Sequence, residues 1–552
     1  MRSDILLLLT ILTRREKIQT SILVVLDLSI TLLDIVFLAL LLIVIDFYSK
    51  GSVRHIVLPI EFSKNSLLPV VLFFLLYSLK NWAGYLILQW QNRLFYAVAS
   101  RLSQQNMWRY LKQDHLKFTQ VDSSAYVREI SHQPIEFSSY ILTNVQQVIT
   151  QSMLISFTVI AILLYQPMLF AWLFALLLPP VVALGYFIKR KLKHIRTAAK
   201  TTHLRVIQYL QEALNSFIES NIYNKNAFFA DRYLGYQQKL NSNISTQQTL
   251  QALSSRTIEV FAILGFMILV TVNKWATNVP AVDLLSLGVF MAAAYKIIPG
   301  VVKILNSLSQ IKTYAFILPG LLPAPTESDK TNAPAPQNIR SVKFEKVSFK
   351  YAHRALLHNL NLEILPGDFA GISGRSGLGK TTLINLLLGF LQEDAGTIAI
   401  NGQTATNVSR QRYWPQISYV KQQPFFINDS VLRNIVLTDG DFDAVKLSVV
   451  NAACGVDTML AQYPEGLNKL ITEDGKNISG GQRQRIMFAR ALYNHFDLLI
   501  LDEPFSEMDE AAETEMLQIL NIQAQQGKMI ILITHNKSSL SHCNKILKLD
   551  EV

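Results

Sequence analysis

The sequence predicts a two-part chain, a membrane domain of six transmembrane helices with long cytoplasmic extensions followed by an α/β domain, and three observations carry that prediction. Half of the 552 residues are hydrophobic and the mean hydropathy is +0.26, too apolar for an ordinary soluble protein. Six apolar stretches, near 20–47, 66–90, 139–165, 167–188, 256–274 and 282–302, are long enough to cross a hydrocarbon core of ~30 Å at about 1.5 Å per residue. From about residue 340 the pattern changes to the alternations and short apolar runs of strands.

Charge orients the first part. Residues 1–320 carry 29 Lys and Arg against 15 Asp and Glu, whereas the remainder carries 22 against 25, so the overall +11 resides in the hydrophobic part. Juxtamembrane Lys and Arg hold loops on the cytoplasmic side, and KRKLKHIR at 189–196 marks one such side. Nucleic acid is not an expected partner, because the globular part has no basic footprint. Lys50, Arg54 and Lys64 run against this orientation in the first outer connection. The polar stretches between spans two and three and between spans four and five are too long for bare loops. Helices continued beyond the bilayer are expected there, with tips near Asp122–Tyr126 and Asn221–Asn226.

At the N-terminus, the apolar residues 5–12 precede Arg14, Arg15 and Lys17, the reverse of a secretory signal, and predict a short helix lying along the cytoplasmic membrane face. The two cysteines, Cys454 and Cys543, form no CxxC or Cys/His cluster and read as packing residues in a reducing compartment. Pro319, Pro323, Pro325, Pro334 and Pro336 predict a linker over 316–340 that holds no helix. The membrane domain is thus placed at 1–315 and the α/β domain at 341–552.

The chemistry-bearing residues lie in the second part. GRSGLGKT, 374–381, follows the apolar strand FAGIS and opens the helical pattern TLINLLLGF, the context a phosphate-cradling loop requires. Its residues Gly374, Arg375, Ser376, Gly377, Leu378, Gly379, Lys380 and Thr381, with Thr382, are candidate ATP-binding positions. Lys380 balances β- and γ-phosphate charge and the Thr381 hydroxyl is suited to Mg2+. DLLILDEP, 497–504, ends a buried strand in Asp502, placed to hold Mg2+, and Glu503, placed to polarise an attacking water. His535 follows the strand MIILIT and is suited to the γ-phosphate. For each motif alone the bland alternative is an accidental Gly-rich turn, an acidic strand end or a structural histidine; together they point to nucleotide hydrolysis.

NISGGQRQR, 477–485, resembles the LSGGQ signature of ABC ATPases, and the resemblance runs through 340–552 with the motifs in the family's order. It implies a P-loop NTPase domain of ABC type, in which the signature residues Ser479, Gly480, Gly481 and Gln482 of one copy, with Asp509 in SEMD, complete the ATP site of another. By the same resemblance Tyr351 would stack on adenine, and Gln422 would join Thr381 and Asp502 at the metal and link nucleotide to membrane domain. Ile478 replaces the family's usual Leu, and Glu507–Met508 replace its usual Ala–Leu, which bears on coupling between the two sites.

A membrane domain fused ahead of this domain resembles the exporter branch of the family, and more loosely bacterial lipid-linked oligosaccharide flippases and lipid or peptide exporters. That implies an ATP-hydrolysing homodimer in the inner membrane, in contact with membrane lipids and moving an amphipathic substrate. A soluble ABC ATPase and an ATP-gated channel are the alternatives. Asp27, Asp34, Lys80, Asn81 and Lys296 interrupt apolar spans, either to meet substrate or to fix helix packing by pairing Asp34 or Asp27 with Lys80. No peptidase-like segment precedes the first span, so cleavage-coupled peptide export is not expected.

Overall fold

A computed structural model describes residues 2–50, 66–113, 121–165, 201–275, 284–322, 338–351, 354–375 and 377–549, with isolated positions between 179 and 190. Most of the fourth expected span, the 189–196 basic run, the first outer connection and most of the expected linker lie outside these residues. The chain divides into two compact units, residues 1–113 with 119–328, and residues 114–118 with 329–552.

The helices of the first unit include α1 (Arg2–Ile11), α2 (Arg14–Lys50), α3 (Leu68–Leu111), α4 (Thr143–Tyr165), α5 (Asn226–Trp275) and α6 (Leu284–Tyr314). Helices α2 to α6 cover spans one, two, three, five and six. Among the described residues, Arg14–Phe37 and Leu68–Leu111 are long and apolar enough to cross a membrane. At 44 and 50 residues, α3 and α5 far exceed the roughly 20 a bilayer needs. The two ends of α3 show why. Leu68, Phe74, Leu75 and Trp82 stand exposed, as on a surface facing lipid, whereas Leu94, Phe95, Val98 and Leu102 turn into a core shared with Leu8 and Ile11 of α1 and with Leu12 just after it.

Local chemistry sets the starts and stops. Thr13 and Glu16 form a capping box at α2, with Thr13 N donating to Glu16 Oε2 at 2.8 Å and Glu16 N to Thr13 Oγ1 at 3.3 Å. Arg101 then clamps Glu16 at 2.7 and 2.8 Å and donates to the terminal carbonyl of Ile11, holding α1 against α3. The first expected tip is capped by Asp122, whose carboxylate accepts from Ser124 N. At the second, the short helix Phe217–Ile222 leaves Phe217, Ile218, Ile222 and Tyr223 largely exposed. Close approach of α4 and α6 explains Gly300, where a Cβ would lie 3.2 Å from Gln151 and Ile155.

The expectation that 316–340 holds no helix is corrected at its start. Ala315–Leu321 forms a 3-10 turn around Pro319, and Ile317, Leu318 and Leu321 are buried in the first unit's core. Proline fits the turn's φ, and three apolar residues close together find a core that composition alone does not reveal. Arg109 secures the turn by donating to the carbonyls of Gly320 and Leu322.

Among the described residues, the charges that interrupt the spans have partners within the helical unit. Lys80 pairs with Asp34 and lies 4.6 Å from the ring centroid of Tyr77, and Asn81 donates to the Tyr77 carbonyl of its own helix. Asp27 instead accepts from Gln146 at 2.6 Å, and Gln146 also donates to Gln91. The Lys296 side chain lies outside the described residues.

Among its described residues the second unit has a four-stranded sheet, a five-stranded sheet and a two-stranded pair. Strands β1 (Val342–Tyr351), β2 (Arg354–Ile364), β4 (Ala395–Ile400) and β5 (Gln403–Thr404) form an antiparallel sheet in the order β2-β1-β4-β5, as the alternation in SVKFEKVSFKY predicts. Strands β3 (Phe369–Ser373), β6 (Ile417–Val420), β9 (Leu498–Asp502), β10 (Met529–Ile533) and β11 (Lys545–Lys548) form a parallel sheet in the order β11-β3-β10-β9-β6. A two-residue pair, β7 (Asp429–Ser430) and β8 (Leu470–Ile471), lies apart. Along β9, Leu498 and Ile500 enter one core while Leu499 and Leu501 enter the other. Both faces are covered, which is why these strands read as continuous apolar runs. Three helices matter for the site: α7 (Lys380–Leu387), α8 (Gly480–Tyr493) and α9 (Glu510–Gln525).

Candidate functional site

Strand register assembles the site. Ile533 at the end of β10 pairs with Ile372 on β3 and with Asp502 on β9, so three neighbouring strands end level. The residues that follow each end, the 374–381 loop, Glu503 and His535, emerge at one edge, the carboxyl edge where parallel sheets bind ligands. There they border a cleft of about 400 Å³ lined by Leu356, Gly377, Gly379, Lys380, Thr381, Thr382, Gln422, Asp502, Glu503 and His535.

Backbone geometry explains the loop. Gly379 caps α7 at φ +94°, and a Cβ there would stand 3.3 Å from Leu357 and 3.4 Å from the Leu356 carbonyl. Only glycine meets both demands, and its conformation turns the first N–H groups of α7 toward the cleft end. Ser376 lies outside the described residues. Arg375 is exposed and Leu378 packs against the core, so within 374–382 the side chains bordering the cleft are those of Lys380, Thr381 and Thr382.

Lys380 is buried, donates to the Gly374 carbonyl at 2.7 Å, contacts His535 Nε2, and lies 3.8 Å from Glu503. Glu503 receives Gln422 Nε2 at 2.8 Å on one oxygen and faces His535 Nε2 at 3.2 Å on the other. Its φ of +49° is unusual for a non-glycine residue and is held by the bond from its N–H to the Ile533 carbonyl at 3.0 Å. Such strain, of order 1–3 kcal/mol, persists where the surroundings fix it and collects at functional sites. Asp502 is almost fully buried at the end of β9. Burial, then the Glu503 carboxylate beside it, raises its carboxyl above the ordinary range, while Tyr419, Lys380 and Lys421 draw it back. Tyr419, whose hydroxyl lies 3.5 Å from Asp502, has its own phenol pushed up by burial and by that carboxylate.

Ser479 caps α8 in a reciprocal capping box, its N–H donating to Gln482 Oε1 at 3.0 Å and its hydroxyl accepting from Gln482 N. Gly480 and Gly481 form the first turn of α8, and Asp509 caps α9 by accepting from Ala512 N at 2.9 Å. None of these residues borders the Lys380 cleft of its own chain. Tyr351 is half exposed at the end of β1, edge-on to Phe349, and likewise outside that lining.

Three contacts were not anticipated by sequence reasoning: Tyr419 against Asp502, Leu356 on the cleft wall, and Glu507 against the signature helix. Leu356 and Tyr419 sit within ordinary strand patterns that carry no signal of the site. Both cysteines are free, and burial lifts their thiols, Cys454 to about 12 and Cys543 to about 11, consistent with packing residues.

Residues 357–506 match the ABC transporter family model. An ATP-binding/permease protein of ABC transporter type from Haemophilus influenzae is 30% identical over 246 residues, 44% of each chain. ATP-dependent lipid A-core flippases from Burkholderia orbicola and Alkalilimnicola ehrlichii are 25% and 27% identical, over 74% and 72% of this chain and 70% and 68% of theirs. The chain thus spans less than half of the Haemophilus relative and about two thirds of the flippases. A bacterial Atm1-family ABC exporter with ATP bound superposes over 98% of this chain and 94% of its own, with a TM-score of 0.76 at 21% identity.

Proposed function

We propose that the chain, whose residues 357–506 match the ABC transporter family model, is an ATP-hydrolysing exporter that works as two identical copies and moves an amphipathic, lipid-like substrate out of the cytoplasmic leaflet of the inner membrane. The observation that carries this reading is the convergence of Lys380, Thr381, Gln422, Asp502, Glu503 and His535 on one cleft at level strand ends. In this reading the α7 N-terminus and Lys380 take the phosphates. Glu503, aligned by Gln422, orients the attacking water and accepts its proton, and His535 stands on the γ-phosphate side.

A divalent cation fits the same cleft. Asp502 is a buried carboxylate of raised proton affinity bordered by the Thr381 hydroxyl and the Gln422 amide, a hard oxygen set suited to Mg2+. Bound there, Mg2+ would neutralise phosphate charge. Tyr351 is proposed to meet adenine, and the half-exposed position of its ring leaves a face for stacking.

Two copies are favoured because Ser479, Gly480, Gly481, Gln482 and Asp509 form a built, capped turn that does not border its own cleft. A phosphate-facing helix start of this kind suits a neighbour's nucleotide. The tip at Phe217, Ile218, Ile222 and Tyr223 keeps an exposed apolar surface, the kind that marks an interaction site. The lipid-like substrate rests on the similarity to the flippases.

The test is ATP turnover by the full chain reconstituted in lipid. Glu503→Gln should retain ATP binding and lose turnover by about 10²- to 10⁴-fold, the range for a general base. Wild-type hydrolysis that ran at full rate in isolated single copies, or a Glu503→Gln variant with wild-type turnover, would overturn the assignment.

A further inference from the structure

Glu507 departs from the family's usual small residue, and its place gives the departure a function. Its Oε2 stands 2.1 Å from where a Cβ on Gly480 would be, so the carboxylate lies directly on the first residue of α8. Arg483, one turn along α8, holds it there, Nη2 to Oε2 at 3.0 Å. The backbone is fixed as well, with Glu507 N donating to Gln484 Oε1 at 3.2 Å and Gln484 Nε2 donating to Ser506 Oγ at 3.1 Å. Both charged side chains keep access to solvent, at 47% exposure for Glu507 and 26% for Arg483, so an incoming surface can reach them.

A carboxylate at this point does two things. It places a negative charge at the positive end of α8, where an anion is stabilised, and it pairs with Arg483 of the first turns of that helix. A γ-phosphate presented to the same turn meets an end already occupied by an anion and a guanidinium already paired.

Resting on the two-copy reading above, we propose that Glu507 is an internal counter-anion, a positioning residue that holds the signature turn in a low-affinity state until the neighbouring copy's γ-phosphate displaces it and takes over Arg483. The residue thereby sets the ATP concentration at which the copies close, and it acts on the γ-phosphate alone.

The experiment measures ATP turnover and competitive inhibition by ADP for the full chain in phosphatidylethanolamine and phosphatidylglycerol vesicles, comparing wild type with Glu507→Gln and Glu507→Ala. Removing the carboxylate should lower KM for ATP roughly two- to fivefold, as expected for a charge at a helix end, with a smaller change in kcat. Inhibition by ADP, which presents no γ-phosphate, should stay as in wild type. The KM gap should close as salt rises from about 0.05 M to about 1 M, because the groups are solvent-accessible and screened. Unchanged or raised KM in both variants, or ADP inhibition tightening in step with KM, would overturn the role of Glu507. A wild-type chain that hydrolyses no ATP would instead overturn the two-copy reading on which it rests.

Discussion

In the C-terminal unit the groups that meet at the cleft are delivered by a few turns at the ends of strands that stop level with one another. In the helical unit, Asp34 and Lys80 lie 46 residues apart and meet only because α2 packs on α3. The first arrangement depends on local geometry, on which residue follows which strand and which glycine turns the chain. The second depends on the rotation of two long helices about their own axes. Substitutions should therefore behave differently in the two units, with loss of chemistry at constant stability in one and loss of stability repairable by a second substitution in the other.

The largest effect expected is at Lys380. Its ammonium is buried between the Gly374 carbonyl, His535 and Glu503, and in the proposed site it is the cation aimed at the phosphates. Lys380→Met should lower ATP turnover by about 10²- to 10³-fold, the range for removing one preorganised electrostatic contact, while thermal unfolding stays close to wild type. Turnover measured beside an unfolding curve checks both halves. A large drop in stability would place Lys380 with the packing residues and erase the contrast between the units.

Asp34 tests the opposite side. Asp34→Ala leaves Lys80, with a side chain only 5% exposed, without its counter-charge, and breaking a buried pair in this way costs about 3 kcal/mol. Replacing both by leucine removes the uncompensated charge and should recover most of that loss, because two apolar side chains suit the interior of a bundle. Unfolding of the two single variants and the double variant in detergent measures the coupling. If the double variant is as unstable as Asp34→Ala yet transport is intact, the pair does more than hold the helices together.

The same contrast explains what was legible in the sequence. The phosphate loop, the Asp502–Glu503 strand end and the Ser479 signature turn each require particular residues at fixed spacing, so each leaves a local signature. The parallel strands were legible because both faces are buried, and the long helices because α2, α3 and α5 are each longer than a bilayer needs. Facts that depend on a distant partner were not legible. Sequence offered Asp27 and Asp34 equally as partners for Lys80, and only packing selects Asp34 while giving Asp27 to Gln146. Residues 316–322 read as linker because prolines dominate the composition, yet Ile317, Leu318 and Leu321 are buried beside α1. Glu507 was visible as a departure, but its seat on Gly480 follows from how the 503–509 turn crosses the start of α8.

The helical unit also contains a polar cluster with no local signature. Before α4, the helix relaxes into π-helical turns at Arg128–His132 and Phe137–Leu142, around Gln133–Glu136. Arg128 is buried there, 3.6 Å from Glu136 and 4.9 Å from the ring centroid of Phe316, so it ties this segment to the turn that ends α6. His203 lies in the same electrostatic neighbourhood. Burial, followed by Arg128 and His132, lowers its pKa from 6.5 to about 4.

The sign of the resulting pH effect follows from which state binds the proton. The unfolded chain takes up a proton at His203 near pH 6.5, whereas the folded chain resists it until about pH 4, so stability falls as pH drops through that window. A shift of this size corresponds to about 3 kcal/mol at full effect, and partial access of water reduces it to about 1–2 kcal/mol. His203→Gln keeps a polar side chain of similar size and removes the titration. Wild type and variant should have similar stability at pH 7.5, and the variant should be the more stable by that amount at pH 4.5. Unfolding in detergent at the two values decides the point. A variant that lost stability equally at both would show that His203 serves the cluster through a neutral hydrogen bond, which would place this corner of the helical unit with Asp34 and Lys80 as a matter of packing rather than of charge.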